Sequence, residues 1–495
     1  MNITKPIIRK IKDNETALAE FEKEIKTSEA EDTKDIIMNF PTVYIHNWPE
    51  TNKYDVYVGE SNNIFARTRQ HYQSRIKHET WQYRMMKTDA SLYIIGHEHF
   101  NKSLTLDVEN RLMHYLMSVD KVHQVHNGRG NPQKHYYPSA EFEEIFRKIW
   151  TELHESDEEL FPDENIVKDS AIYKASPLHK LTDEQENAKI QILECIDLAR
   201  QKHEKQIIFI DGEAGTGKTV LNSNIFYELY CQEEEKDNAE FKCCMVVNHD
   251  EQVKVYSDIA KKLGITEKYG EVVSKASTFL NRHKDLDSVD VVFIDEAHLL
   301  SKDKIERLLE LSKEQPVIFS SDSEDVISSE EMDKENIKKL ENQTDIKVFR
   351  LTNRIRTNAE LSTFIQNMMH LPPRMNSRGY PHIFVVYAND DVEAENLLSD
   401  YIKQGYQWVE IEESERQEAQ ADLKMQAVRD MDKIVLLLDE RYYYDEEGYL
   451  RAACFMKNGS SYVRKIFHRL NHAKESIALV VKKNEKVYNT LLELL

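Results

Sequence analysis

Apolar positions fall into two blocks along the chain. From about 42 to 150, strand-like pieces and helices mix with many aromatics and nine histidines. From about 181 onward, short apolar runs at 207–210, 243–247, 291–294, 317–319, 383–386 and 434–438 alternate with amphipathic helical stretches. Strands alternating with helices predict a parallel, doubly wound sheet, and about 310 residues leave room for two of them. Ahead of both blocks, residues 1–40 read as a polar, charge-alternating helix that Pro41 ends. Between the blocks, residues 151–165 hold seven acids and no Lys or Arg, a composition shift typical of a linker. The predicted organisation is a helical segment (1–40), a small α+β domain (41–150), an acidic linker and lead-in (151–180), and two α/β lobes (181–345 and 346–495).

Composition narrows the class. With 31% charged and 40% hydrophobic residues in 495, the chain reads as globular, with room for about three domains. No apolar run approaches a membrane span and the first residues lack an apolar leader, so a cytoplasmic location is expected. Five cysteines without Cys-x-x-Cys spacing indicate neither a zinc knuckle nor a disulfide framework. The net charge of −22 argues against nucleic acid only as an average. Residues 41–150 carry 14 Lys/Arg against 12 Asp/Glu, and Arg67, Arg69, Arg75, Lys77, Arg84 and Lys87 face only Glu79 and Asp89. A local basic face can still meet phosphates.

The sharpest motif is Gly212-Glu-Ala-Gly215-Thr-Gly217-Lys218-Thr219, set between a predicted strand and helix. Its glycines let backbone N–H groups close around phosphates, Lys218 reaches the terminal phosphates, and Thr219 offers a hydroxyl to Mg²⁺. The run 291–294 ends in Asp295-Glu296, about 75 residues later. Asp295 suits the Mg²⁺ shell and Glu296 suits the attacking water. Together they predict ATP and Mg²⁺ as cofactors.

The surrounding pieces resemble superfamily 1 helicases, and more narrowly the Schlafen-group-3-like helicases of bacteria and their phages. Leu181-Thr-Asp-Glu-Gln185 is similar to the motif whose glutamine reads adenine, and Leu351-Thr-Asn-Arg-Ile-Arg356 to the one that brings an arginine to the γ-phosphate. The resemblance covers roughly 165–495 and implies two RecA-like lobes with Gln185 and Arg356 in those roles. Where the family's sixth motif reads Leu-Thr-Arg-Ala, this chain has Leu470-Asn-His472-Ala, which favours nucleotide binding over fast hydrolysis.

The block 41–150 resembles the GIY-YIG endonucleases. The carriers are Thr42-Val-Tyr44-Ile-His, then Tyr57-Val-Gly59 with Arg67 and His71, Glu109 in a predicted helix, and Asn127 in a turn. The resemblance implies a small α+β nuclease domain in which Glu109 holds one Mg²⁺ or Mn²⁺ against the scissile phosphate. Arg67 would neutralise developing charge, and Tyr44 or a metal-polarised water would move the proton, with His71 a rival base. His97, His99, His123 and His126 read as surface or hydrogen-bonded groups ahead of a second metal site. The expectation is an endonuclease governed by a helicase-like ATPase, in the style of antiviral defence. It would act on nucleic acid, DNA ahead of RNA, with an oligomer or protein partner left open. The rivals are an ATP-gated sensor that binds without efficient cutting and a translocating helicase with an accessory nuclease.

Overall fold

A computed structural model describes residues 3–27, 31–73, 81–86, 89–127, 139–212, 215–236, 238–248, 250–283, 289–297, 300, 302–311, 314–321, 346–352, 359–371, 380–409, 431–446, 448–453, 463, 466, 469–470 and 473–495. The chain divides into two compact units. The first comprises 1–208, 219–297 and 303–319, and the second 209–218, 298–302 and 320–495.

The first unit opens with β1 (Ile7–Lys12), α1 (Glu15–Thr27), α2 (Glu31–Asn39), β2 (Thr42–Glu50), β3 (Lys53–Ser61), α3 (Ile64–Gln73), α4 (Trp81–Met86), β4 (Ser91–Gly96), α5 (Lys102–Ser118), β5 (Val122–His126) and α6 (Phe142–Ser156). The strands form one sheet in the order β1-β4-β2-β3-β5, antiparallel except for the parallel β3–β5 pair. Strand alternation sorts β2 onto two cores. Val43 and Ile45 join the cluster built with α5 and α6, whereas Tyr44 and Trp48 join the one built with Leu18, Phe21 and Ile25 of α1 and Phe65 of α3. Residues 1–40 are therefore not a lone helix: β1 completes the sheet and α1 covers its tyrosine-bearing face.

The acidic stretch after 150 is also folded. Leu153, Leu160 and Phe161 are buried in the α5–α6 core, Trp150 Nε1 donates to the Pro162 carbonyl at 2.9 Å, and α7 (Glu164–Asp169) and α8 (Ala171–Ala175) follow. Acids cover its outer side while its few apolar residues anchor it, so composition alone reads as a linker what packing makes part of the domain.

Beyond these lie α9 (Asp183–Lys202), β6 (Gln206–Gly212), α10 (Lys218–Glu235), β7 (Cys243–Val247), α11 (Asp250–Lys262), α12 (Ile265–Tyr269), β8 (Val273–Lys275), α13 (Ala276–Arg282), β9 (Val291–Ile294), α14 (Lys302–Leu311) and β10 (Pro316–Ser321). Within the first unit β10, β9, β7 and β8 run side by side and parallel. The apolar runs of β7, β9 and β10 are buried on both faces, as parallel strands require.

In the second unit β11 (Ile346–Leu351) neighbours β6. Then come α15 (Ala359–Met369), β12 (Ile383–Ala388), α16 (Asp391–Lys403), β13 (Gln407–Val409), β14 (Met431–Leu438), β15 (Tyr442–Tyr444), β16 (Leu450–Ala452), β17 (Ala473–Lys482) and α17 (Glu485–Leu494). A parallel sheet runs β12-β17-β14-β13, with one core on each face. Among the described residues, no helix is long and apolar enough to cross a membrane.

Candidate active site in the N-terminal domain

Register in the β2–β3 hairpin sets the first part of the site. Tyr44 pairs with Gly59, and His46 with Tyr57. The Tyr44 ring lies over Gly59 so closely that a Cβ there would meet Tyr44 Cζ and the hydroxyl at 2.5 Å. The glycine is thus the floor for the tyrosine, which explains their pairing in sequence. Tyr44 is fully buried, and its hydroxyl shares a hydrogen bond with His71 Nε2 at 2.9 Å. The Tyr57 ring lies 6.1 Å from Tyr44 and stacks at 4.1 Å on Trp81 of α4.

Helix α3 supplies Arg67 and His71 one turn apart, on one side. The exposed Arg67 guanidinium lies beside both phenols. Burial pushes the Tyr44 hydroxyl far up and Arg67 opposes that only in part, so Tyr44 stays protonated. Burial, then His46 and Arg67, drives His71 down to about 3, which leaves a neutral imidazole at pH 7. Beneath this pair, His46 Nδ1 meets Asp13 Oδ2 at 2.5 Å, and Tyr72 donates to Asp13 Oδ1 at 2.6 Å. The sequence reading missed Asp13, His46, Tyr72 and Trp81. Asp13 follows a short charged edge strand, and only the fold carries it to the tyrosine face.

Helix α5 brings Glu109, only 9% exposed. Asn127 Nδ2 donates to Glu109 Oε1 and to the Val58 carbonyl, both at 2.9 Å. Asn127 sits at φ +70°, a left-handed conformation that asparagine tolerates better than most side chains. Burial, followed by the nearby Glu60 carboxylate, raises Glu109 to about 7; Lys102, Asn127 and Arg67 pull the other way. Lys102 is paired with Glu60. All six candidates, Tyr44, Tyr57, Arg67, His71, Glu109 and Asn127, therefore fall in one connected group. Among the described residues no three His, Cys, Asp or Glu converge on a metal position. One buried carboxylate suits a hard divalent ion that keeps water and phosphate oxygens as its other ligands.

The four other histidines singled out from the sequence are hydrogen-bonded. His123 and His126 both bond Asp55, His99 bonds Glu141, and His97 meets Thr4. Burial alone would raise Asp55, but bonds from His126 and His123 hold its carboxyl below the usual range. Of the basic face, Arg69 is paired with Glu22, while Arg75, Lys77, Lys87 and the Arg84 side chain lie outside the described residues.

The nucleotide candidates fall into pieces described separately. In the second unit, Lys218 Nζ donates to the Gly212 carbonyl at 2.5 Å, and Gly215 and Gly217 have φ of +86° and +82°. Those angles favour glycine and turn the loop tightly. In the first unit, Thr219 opens the first turn of α10, and Asp295 is buried at the end of β9. Asp295 accepts from Asn222 at 2.9 Å and from Tyr256 at 2.6 Å. Glu296 sits at φ +53°, a strained setting for its residue type of the kind that clusters at functional sites. Gln185 closes a capping box with Thr182 at the start of α9. Arg356 and His472 lie outside the described residues.

No curated protein sequence matches the chain. Among solved structures, it is similar to a DEAD box protein from the hyperthermophile Methanococcus jannaschii, at 12% identity and a TM-score of 0.30. That match covers 67% of this chain and 94% of the other, and is too distant to bear on function. The family model for the Schlafen group 3 DNA/RNA helicase domain matches residues 205–438, the stretch that holds the glycine loop and the Asp295-Glu296 pair, so this part of the chain is a Schlafen-group-3 helicase-like domain.

Proposed function

We propose that the protein is a nucleic-acid endonuclease whose N-terminal GIY-YIG-type domain cuts a phosphodiester under the control of the helicase-like ATPase. The observation that carries this reading is the single connected group of Tyr44, Tyr57, Arg67, His71, Glu109 and Asn127. A divalent ion held by Glu109 would supply Lewis acidity at the scissile phosphate and ease formation of the attacking hydroxide. Arg67, exposed beside two phenols, is placed to meet phosphate and offset its developing negative charge. His71, neutral and bonded to the Tyr44 hydroxyl at 2.9 Å, would hold the phenol in position, so the two act as one orienting unit beside Arg67. Asn127 orients Glu109 and keeps one oxygen engaged.

On the ATPase side, Lys218 and Thr219 would bind the nucleotide phosphates with Mg²⁺, Asp295 would hold the metal's water shell, and Glu296 would direct the attacking water. Gln185 would read adenine and Arg356 would reach the γ-phosphate. DNA is the substrate favoured over RNA, and antiviral defence is the role suggested by resemblance alone. The sensor reading keeps one support: Tyr57 and His71 are nearly buried, with Trp81 packed on both rings. The test is purified protein with labelled single- and double-stranded DNA and RNA, with and without Mg²⁺ and ATP. Metal-dependent cutting that Arg67→Ala slows at least about a hundredfold is expected. Binding without cutting under every condition would favour the sensor.

A further inference from the structure

Helix α11 touches both halves of the proposed machinery. At Tyr256 its buried phenol donates to Asp295 Oδ2 at 2.6 Å, on the carboxylate expected to hold the Mg²⁺ shell. Six residues on, a rise of about 9 Å, Lys262 turns to the N-terminal domain. Lys262 is only 6% exposed, and its Nζ donates at 2.6 Å to the carbonyl of Val119. Val119 is the C-cap of α5, the helix that carries Glu109. An ammonium at that end meets the negative pole of the helix dipole and a cap carbonyl that also accepts from Val122 N at 3.1 Å.

Just past the helix, Gly264 stops α11 at φ +75° and lies against Gln124 of β5, whose Nε2 is 2.5 Å from where a Cβ would stand. That strand runs on to His126 and Asn127, and Asn127 holds Glu109. Leu263 and Tyr227 of the ATPase block pack on the α5–α6 core. In addition, Asn224 of α10 donates to the Pro177 carbonyl at 2.7 Å. The end of α11 thus abuts both elements that position Glu109.

We propose that Tyr256 is a positioning residue for Asp295 and that α11 transmits the state of Asp295 through Lys262 to the α5 C-terminus and β5, so that nucleotide binding sets the geometry around Glu109 and Asn127. The inference rests on the reading of Asp295 as the nucleotide-metal acid and of Glu109 as the cleavage carboxylate. Asp295 would hold the water shell of a bound Mg²⁺-nucleotide with the same carboxylate that accepts from Tyr256, so nucleotide would weaken the Tyr256 bond. A shift of α11 by a fraction of an ångström then moves a buried cation against a helix cap. Burial, with Lys53 next, lowers Lys262 to about 8.

The test is hydrogen exchange of the full-length protein with and without Mg²⁺ and a non-hydrolysed ATP analogue, read on peptides covering 119–127. In the parent, nucleotide should change exchange there by about fivefold or more. Lys262→Met should abolish that change while leaving analogue affinity intact, and Lys262→Arg should restore it. Tyr256→Phe should raise the Mg²⁺ concentration needed for half-maximal ATPase and blunt the same exchange response. It also keeps the test available should Lys262→Met fail to fold. No nucleotide effect at 119–127 in the parent, or an undiminished effect in both variants, would overturn the proposal. Because this readout needs no cleavage, a protein that fails to cut but shows the response loses the nuclease reading and keeps the coupling.

Discussion

Replacing Gly59 by alanine is the most local probe of how the fold builds the proposed active site. The added methyl would stand 2.5 Å from Tyr44 Cζ and hydroxyl and 2.9 Å from Tyr57 Cε1. These contacts lie well inside van der Waals range, and the tyrosine cannot swing away. Its ring is fully buried, and its hydroxyl is tied to His71. Overpacking of this kind costs about 1–3 kcal/mol, and breaking the Tyr44–His71 bond adds about 1 kcal/mol. Gly59→Ala should therefore destabilise the N-terminal domain by roughly 2–4 kcal/mol. In a Tyr44→Leu background the atoms at 2.5 Å are gone and only the 2.9 Å contact with Tyr57 Cε1 remains, so the same change should cost at least about 1 kcal/mol less. Urea unfolding of the four proteins of this double-mutant cycle, followed by tyrosine and tryptophan fluorescence, measures the difference. A Gly59→Ala cost that is negligible in the parent, or equal in both backgrounds, would refute the claim that glycine is there to seat the tyrosine.

Other expected outcomes concern nucleotide and metal. Lys218→Ala should abolish ATP binding in titration calorimetry while the fold persists; unchanged affinity would contradict the phosphate-loop assignment. Glu296→Gln should keep ATP affinity and stop turnover, because only the carboxylate proposed to direct water is lost; an equal loss of both would make Glu296 part of the binding site. Burial and Glu60 raise Glu109 from 4.5 to about 7, so the folded protein loses stability as pH climbs through that window and the carboxyl ionises. A divalent ion should offset this, and Mg²⁺ or Mn²⁺ should raise Tm more at pH 8 than at pH 5; a pH-independent shift would contradict a metal role for Glu109.

What could be read from the sequence follows from what each feature depends on. The runs at 243–247 and 291–294 coincide with β7 and β9, because strands buried on both faces must be continuously apolar. Strand β1 was not legible: Ile7, Ile8 and Ile11 sit among Arg9, Lys10 and Lys12, and only pairing with β4 makes them a strand. In the candidate site, the tyrosines, Gly59, Arg67 and Glu109 could be singled out by resemblance because they lie in short motifs. Asp13, reaching His46 and Tyr72, left no local trace, nor did Lys262, whose acceptor is 143 residues away. Trp81 on Tyr57 was hidden for the same reason.

If one carboxylate on α5 makes this protein cut nucleic acid, a cleavage assay of Glu109→Ala beside the parent shows it most directly. With labelled DNA and RNA, Mg²⁺ or Mn²⁺ and ATP, the parent should cleave at least one substrate and chelation should stop it. Glu109→Ala should lose that activity by at least about a thousandfold while its ATPase rate is unchanged, since loss of the carboxylate proposed to hold the metal would remove several kcal/mol of transition-state stabilisation. Metal-dependent cleavage that persists in Glu109→Ala at the parent's rate would contradict the account.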